Sequence, residues 1–182
     1  EKMLDRLMSV LRLNQAAIYI AERCRATLPS VERGFSPEFL RNLEAQGAGQ
    51  CLIEMAYRRG GLATLRNLAE MTDPVPPVGG SFARLKEVLL AEKIQHLTAV
   101  SLQTRDRNFG VVLFPHDDRA FSSSQIRLLL ALAMQIGTTL ENYVLMHSAQ
   151  RRTKEYALLT QIGQAISSRL DPDEVLRTIH QE

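Results

Sequence analysis

The sequence predicts an α+β fold: a central antiparallel sheet with helices packed around it, followed by a long C-terminal connector helix. Three observations carry that prediction. Short apolar, β-branched or aromatic segments such as Ala16–Ala21 alternate with capped amphipathic segments at helical spacing. The polar run Arg105-Asp106-Arg107-Asn108 joins the apolar segments Ile94–Thr104 and Phe109–Pro115 as a hairpin, so their pairing is antiparallel. From Ser123 to Leu170 there is no proline and only two glycines, Gly137 and Gly163. At about 1.5 Å per residue such a helix would run roughly 70 Å, more than a domain of this size can bury.

Taken in order, Met3, Leu4, Leu7, Met8 and Leu11 fall at helical spacing and open the chain with an amphipathic helix. Ala16–Ala21 reads as a strand, and a second strand is expected over roughly Arg25–Glu32, ending at Gly34. Ser36-Pro37-Glu38 reads as a helix start, with Ser36 as N-cap and proline at the first helical position, and Gly47 as its end. A further helix is expected from Cys51 to Arg59, closed by Gly60-Gly61, and a short strand over Leu62–Leu65. The proline-rich stretch 71–80 cannot be helix or central strand and reads as a surface loop. The helix Phe82–Glu92 and the hairpin follow. Ser122-x-x-Gln125 is a capping box that starts the long helix. Asp171-Pro172-Asp173-Glu174 is a second one, restarting an amphipathic helix through Val175, Leu176 and Ile179. The expected organisation is a folded α+β domain at 1–147, a connector helix at 148–170 and the start of a following domain at 171–182.

The long helix changes character along its length. Ile126–Ile136 is apolar enough to lie on a core, 147–155 is polar all round, and Leu158, Leu159, Ile162, Ala165, Ile166 and Leu170 restore a narrow apolar stripe. Leu129, Ala133, Ile136, Leu140 and Tyr143 keep a 4/3 spacing, as do Leu158, Ile162 and Ala165. These residues are the expected interface of a parallel homodimer, and the helix is expected to relay a signal to an output domain downstream in the same chain.

Composition excludes several classes. The 22 basic and 20 acidic residues leave a net charge of +2, which gives no nucleic-acid footprint; Arg151, Arg152 and Lys154 read as a solvated helix face. There is no run of about 18 apolar residues, so no membrane-spanning segment is expected. Cys24 and Cys51 match no metal or disulfide pattern and read as reduced thiols of a cytoplasmic protein. His96, His116, His147 and His180 lack metal-ligand spacing, no glycine-rich phosphate loop is present, and no nucleophile, base and orienting group can be assembled. No metal site and no catalytic residue are therefore expected, and no cofactor is indicated.

Four stretches together resemble the GAF domain family over about residues 1–147: Gly34-Phe35-Ser36-Pro37-Glu38; Gln46–Gln50 followed by Gly60-Gly61-Leu62; Ile94–Leu102 with Phe109–Phe114; and Arg119–Ser122 running to Glu141-Asn142. The resemblance implies a sheet of about six antiparallel strands acting as a regulatory input module. It implies as parents bacterial sensor kinases of two-component systems, cyclic-di-nucleotide enzymes or enhancer-binding regulators. The ligand sets of specialised members are not matched. Asn67 is followed by Leu68 rather than the lysine of cyclic-nucleotide binders, and Cys51 by Leu52 rather than the histidine common in bilin carriers. The several placed cysteines of the sulfoxide-reductase branch are missing.

A small-molecule ligand is expected beneath the loop 69–83, contacted by some of Tyr57, Arg66, Asn67, Phe82, His96 and Ser101. Arg66 and Asn67 offer donors beside that loop, Ser101 interrupts an apolar strand, and Tyr57 and Phe82 supply walls. Each has a structural counter-reading as core, strand-edge or solvated residue. Two rival functions stay open at this point: a ligandless dimerisation spacer, and a small redox enzyme using Cys24 or Cys51.

Overall fold

The computed structural model describes residues 2–26, 28–71, 81–117 and 121–169. The elements run α1 (Lys2–Leu11), β1 (Ala16–Ile20), a 3-10 turn (Glu22–Cys24), β2 (Val31–Arg33), α2 (Phe39–Ala45), α3 (Ala48–Arg58), β3 (Leu62–Leu65), α4 (Ser81–Ala91), β4 (His96–Gln103), β5 (Asn108–His116) and α5 (Ser123–Arg169). The structure divides into two units, Glu1–Glu141 and Asn142–Glu182.

The described strands form one antiparallel sheet in the order β2-β1-β5-β4-β3. The fold class is the expected one, with five strands among the described residues where about six are implied by resemblance. The second strand is shorter and later than expected: after the 3-10 turn Glu22–Cys24, only Val31–Arg33 pairs with Ala16–Ile18. Ser36 does not cap α2. Its N–H and hydroxyl both donate to the Glu92 carboxylate, and α2 starts at Phe39 without a side-chain cap. The expected capping box of α5 is present: Gln125 N–H donates to Ser122 Oγ at 3.3 Å, and Ser122 N–H donates to Gln125 Oε1 at 2.9 Å.

Strand alternation gives the sheet two covered faces. Ala17, Tyr19, Ala63, Leu65, Leu97, Ala99, Val111 and Leu113 point to one side and join Phe39, Leu43, Leu52, Phe82, Leu85 and Leu89 from α2, α3 and α4 in the main core. On the other side, Val100, Val112 and Phe114 meet Leu129, Ala133 and Ile136 of α5. Sequence spacing assigns Leu129, Ala133 and Ile136 to a dimer interface; the structure corrects this. They are only 2%, 3% and 4% exposed because the second sheet face needs apolar cover of its own. Leu140 is half-buried and Tyr143 exposed, while Leu158 and Ile162 are exposed and the Ala165 side chain lies outside the described residues.

Glycine sets how closely α5 approaches the sheet. A Cβ on Gly137 would lie 2.6 Å from the Gln103 carbonyl oxygen, and one turn later Thr104 Oγ1 bonds Glu141 Oε1 at 3.3 Å. The helix is thus fixed to the end of β4. By length and composition alone α5 also meets the requirement for a membrane span: an 18-residue window within Ser123–Gln164 reaches a mean hydropathy of 1.3, with 22% of it buried. This qualifies the expectation of no spanning segment, since apolar residues need not be consecutive to reach that hydropathy.

Candidate functional site

Two concavities open among the described residues of the first unit. The larger, of about 830 Å³, lies where the C-terminal end of α1, the turn before β4, the start of β4, the end of β5 and the start of α5 meet. Arg12, Lys93, His96, His116, Asp117 and Gln125 contribute its polar lining, and Phe121 is among its apolar residues.

The histidines are brought together by strand register. His96 pairs with His116 across β4 and β5, and their rings lie 5.9 Å apart at 23°. Phe121 meets the His116 ring edge-on at 5.2 Å. His116 Nδ1–H donates to the Asp117 carbonyl at 2.7 Å, so its Nε2 accepts from Thr98 Oγ1 at 3.1 Å. Thr98 Oγ1 in turn lies 3.3 Å from Thr64 Oγ1, which extends the polar chain to β3. His96 Nδ1 accepts the Asn67 N–H at 3.3 Å, so a neutral His96 carries its proton on Nε2. Burial holds the His116 pKa below the usual histidine value; the positive potentials of His96 and Arg66 add to that, against the Asp117 carbonyl.

The smaller concavity, of about 360 Å³, lies between α3 and the β4–β5 turn and is lined by Arg23, Glu54, Tyr57, Arg105 and Arg107 among others. The main core packs closely at Tyr19. Tyr19 is 2% exposed and lies so close to α3 that a Cβ on Gly49 would fall 2.0 Å from the ring. Arg25 stacks 5.0 Å from the Tyr19 ring centroid and hydrogen-bonds its hydroxyl, and burial raises the Tyr19 pKa against the pull of Arg25.

The six residues expected at one ligand site are distributed over several places. Tyr57 lines the smaller concavity and is 62% exposed; Phe82 is a core residue at 2%. Ser101 is buried and accepts a hydrogen bond from Asn108 Nδ2 at 3.1 Å. Arg66 and Asn67 are exposed after β3, and His96 lines the larger concavity on the sheet face opposite Phe82. Most of the loop expected to cover them, residues 72–80, lies outside the described residues. Spacing offered no sign of Arg12, Lys93 or His116, because each is placed by a helix end or a strand register.

Cys51 is buried with its Sγ 3.8 Å from Met55 Sδ, Cys24 is half-buried, and no disulfide joins them. No cluster of three or more metal-ligating side chains occurs among the described residues.

An antiparallel sheet carries α2, α3 and α4 on one face and the first turns of α5 on the other. The chain belongs to the GAF domain family, whose family model matches residues 1–142. Solved structures share the fold at low identity. A domain assigned to a two-component sensor histidine kinase protein of Sinorhizobium meliloti is 18% identical, with a TM-score of 0.58, covering 82% of this chain and 92% of that one. A GAF domain/HD domain protein of Geobacter sulfurreducens is 17% identical, with a TM-score of 0.55 and coverage of 77% and 89%. The blue-light-absorbing form of the Thermosynechococcus elongatus PixJ GAF domain is 14% identical, with a TM-score of 0.51 and coverage of 85% and 90%. No curated protein sequence matches the chain.

Proposed function

We propose that this chain is a non-catalytic sensor or adaptor module of a multidomain, cytoplasmic signal-transduction protein. It pairs as a parallel homodimer through α5 and passes its state along that helix to an output domain beyond residue 170. The organisation that goes with this reading is a GAF domain over 1–147, a connector over 148–170 and the start of a following domain over 171–182, the last outside the described residues.

One observation carries the proposal. In the second unit α5 exposes Leu145, Met146, Tyr156, Leu158, Leu159 and Ile162, each more than half accessible. A helix this apolar and uncovered gains stability by burying a seam against a second copy, and Leu158 and Ile162 have the i, i+4 spacing for it. The revised interface is Leu140, Tyr143, Leu158, Ile162 and Ala165, with Leu129, Ala133 and Ile136 assigned to the sheet. Sedimentation equilibrium tests this: the full chain is expected to dimerise in the micromolar range, and a chain ending at His147 to be largely monomeric. A full-length monomer, or a dimer indifferent to the truncation, refutes pairing through the helix. In the parent protein, inserting two residues within 147–155 turns the following seam by about 200° and should alter output strongly. Inserting seven nearly restores the phase and should alter it far less.

A second reading, the ligandless dimerisation spacer, is favoured by the burial of Tyr19 and Phe82 and by the separation of the six expected contact residues. Thermal-shift screening with nucleotides and metabolites separates the two readings: a specific ligand supports sensing, and none supports the spacer.

A further inference from the structure

The non-glycine residues with left-handed backbone among the described residues are Arg12 (φ 53°), Asn67 (φ 51°) and Lys93 (φ 59°). Two of them lie at the larger concavity. Arg12 and Lys93 line it, and Asn67 holds Nδ1 of His96, which lines it too.

Arg12 and Lys93 occupy equivalent places at the ends of α1 and α4. Arg12 N–H donates to Ser9 O and Leu13 N–H to Met8 O at 2.9 Å; Lys93 N–H donates to Leu90 O at 2.9 Å and Ile94 N–H to Leu89 O at 3.0 Å. This paired pattern requires a left-handed residue where glycine is ordinarily found. α3 ends the same way with Gly60 at φ 77°. A side chain at that position carries a steric penalty, and residues held in such conformations cluster at ligand clamps. Packing does not repay the penalty, because both side chains are exposed, and neither forms an ion pair among the described residues. What these two positions share is a cationic residue in the wall of one concavity.

The remaining lining fits the same chemistry. Among the described residues Asp117 is the acidic one in it, His96 and His116 supply imidazoles, and Arg66 adds positive potential at His116. Its volume of about 830 Å³ suits a metabolite-sized ligand. We propose that this concavity binds a small polyvalent organic or inorganic anion carrying carboxylate or phosphate groups, held by Arg12 and Lys93 against the His96–His116 pair. The site lies within the first unit and stands independently of pairing through α5.

An anion there favours the cationic form of the His116 imidazole, so binding takes up a proton and strengthens as pH falls. The charged groups that set this coupling are Arg12 after α1, Arg66 after β3, Lys93 before β4, His96 on β4, and His116 and Asp117 at the end of β5.

Calorimetry on the full chain with citrate and with pyrophosphate, at matched ionic strength and at about pH 6 and about pH 8, tests the site. The two probes distinguish a carboxylate from a phosphate ligand. At least one is expected to bind, more tightly at the lower pH, and to shift the imidazole nitrogen resonances of His96 and His116. Arg12→Gly and Lys93→Gly keep the helix-end geometry while removing the cation, so each is expected to weaken binding about tenfold. Arg105→Ala/Arg107→Ala in the other concavity should leave it unchanged. Binding of neither probe, equal binding by the glycine variants, or an equal loss in the Arg105/Arg107 variant would each overturn the proposal.

Discussion

Replacing Gly137 with alanine separates two effects that ordinarily point the same way. In an open helix, alanine is favoured over glycine by about 1 kcal/mol. At Gly137 the added Cβ would meet Gln103 backbone atoms, its carbonyl oxygen at 2.6 Å, its carbon at 3.0 Å and its nitrogen at 3.1 Å. A comfortable carbon–oxygen approach is about 3.3 Å, so α5 or the end of β4 must yield by about 0.7 Å. Neither is free to do so. Gln103 is paired with Asn108 across the sheet, and the helix is held one turn later by the bond from Thr104 to Glu141. Overpacking of this kind costs about 1–3 kcal/mol, which exceeds the propensity gain and leaves a net loss of about 1 kcal/mol. For a chain of this length that lowers the thermal midpoint by about 2–4 °C. Gly163 in the same helix is the matched control: nothing lies within 4 Å of a Cβ there, so Gly163→Ala should increase helicity and destabilise nothing. Circular dichroism melts and urea titrations of both variants read the difference. A Gly137→Ala protein at least as stable as the parent would refute the close approach of α5 to β4.

Gly49→Ala should be harsher, about 3 kcal/mol or failure to fold, because the new Cβ falls on the Tyr19 ring and displacing it breaks the contact with Arg25. The double variant Gly49→Ala/Tyr19→Val should recover part of the loss in urea titrations, and strict additivity would count against the clash. His116 makes stability pH-dependent with a definite sign. Its folded pKa lies below the ordinary 6.5, so its contribution is present above that value and is lost as pH falls through it, because the unfolded chain then binds the proton that the folded one excludes. His116→Gln should flatten denaturation midpoints between about pH 7 and about pH 5, and an unchanged slope would contradict the burial of that ring. Arg12→Gly and Lys93→Gly should leave stability unchanged or raise it by about 0.5 kcal/mol, since relief of left-handed strain is partly offset by glycine entropy in the unfolded chain. Urea titration showing a loss of more than about 1 kcal/mol would mean that these side chains carry packing instead.

Much of the fold was legible because local chemistry and tertiary structure agree. The polar four-residue turn, the Ser122–Gln125 box and the glycine pair after α3 each mark a boundary found within a residue or two. Ser36 misled because its hydroxyl found the Glu92 carboxylate, a partner 56 residues away that outcompetes the local cap. The helical stripe at Leu129, Ala133 and Ile136 was visible, but periodicity gives a buried face without naming what buries it. The histidine pair was hidden for a different reason. A regular hairpin closed over Arg105–Asn108 pairs Thr104 with Phe109 and would set His96 opposite Asp117. The hairpin instead closes over Arg105-Asp106, with Gln103 opposite Asn108, a register that continued regularly would set His96 opposite Pro115. The irregularity at Leu102/Gln103 adds one residue and sets His96 opposite His116. Asn108 fixes that shift from inside the fold, accepting the Gly110 N–H at 3.0 Å while donating to Ser101.

The same alternation decides on which side of the sheet a ligand could be felt. Leu97, Ala99 and Val111 belong to the face covered by α2, α3 and α4, where Tyr19 and Phe82 are buried. His96, Thr98 and Val100 point the other way, toward the face covered by α5. A strand apolar on both faces conceals this parity in its sequence, which is why His96 reads as a neighbour of Phe82 until the pairing is known. The consequence is mechanical. The larger concavity is lined not only by strand ends but also by Phe121, Ser122 and Gln125, at the entry to α5. An occupant would touch the sheet and the first turn of α5 together. It could therefore favour one seating of that turn over another, and a ligand shifts an equilibrium only by the difference in its affinity for the two states. A ligand confined to the α2–α4 face would have to act on α5 through the intervening sheet.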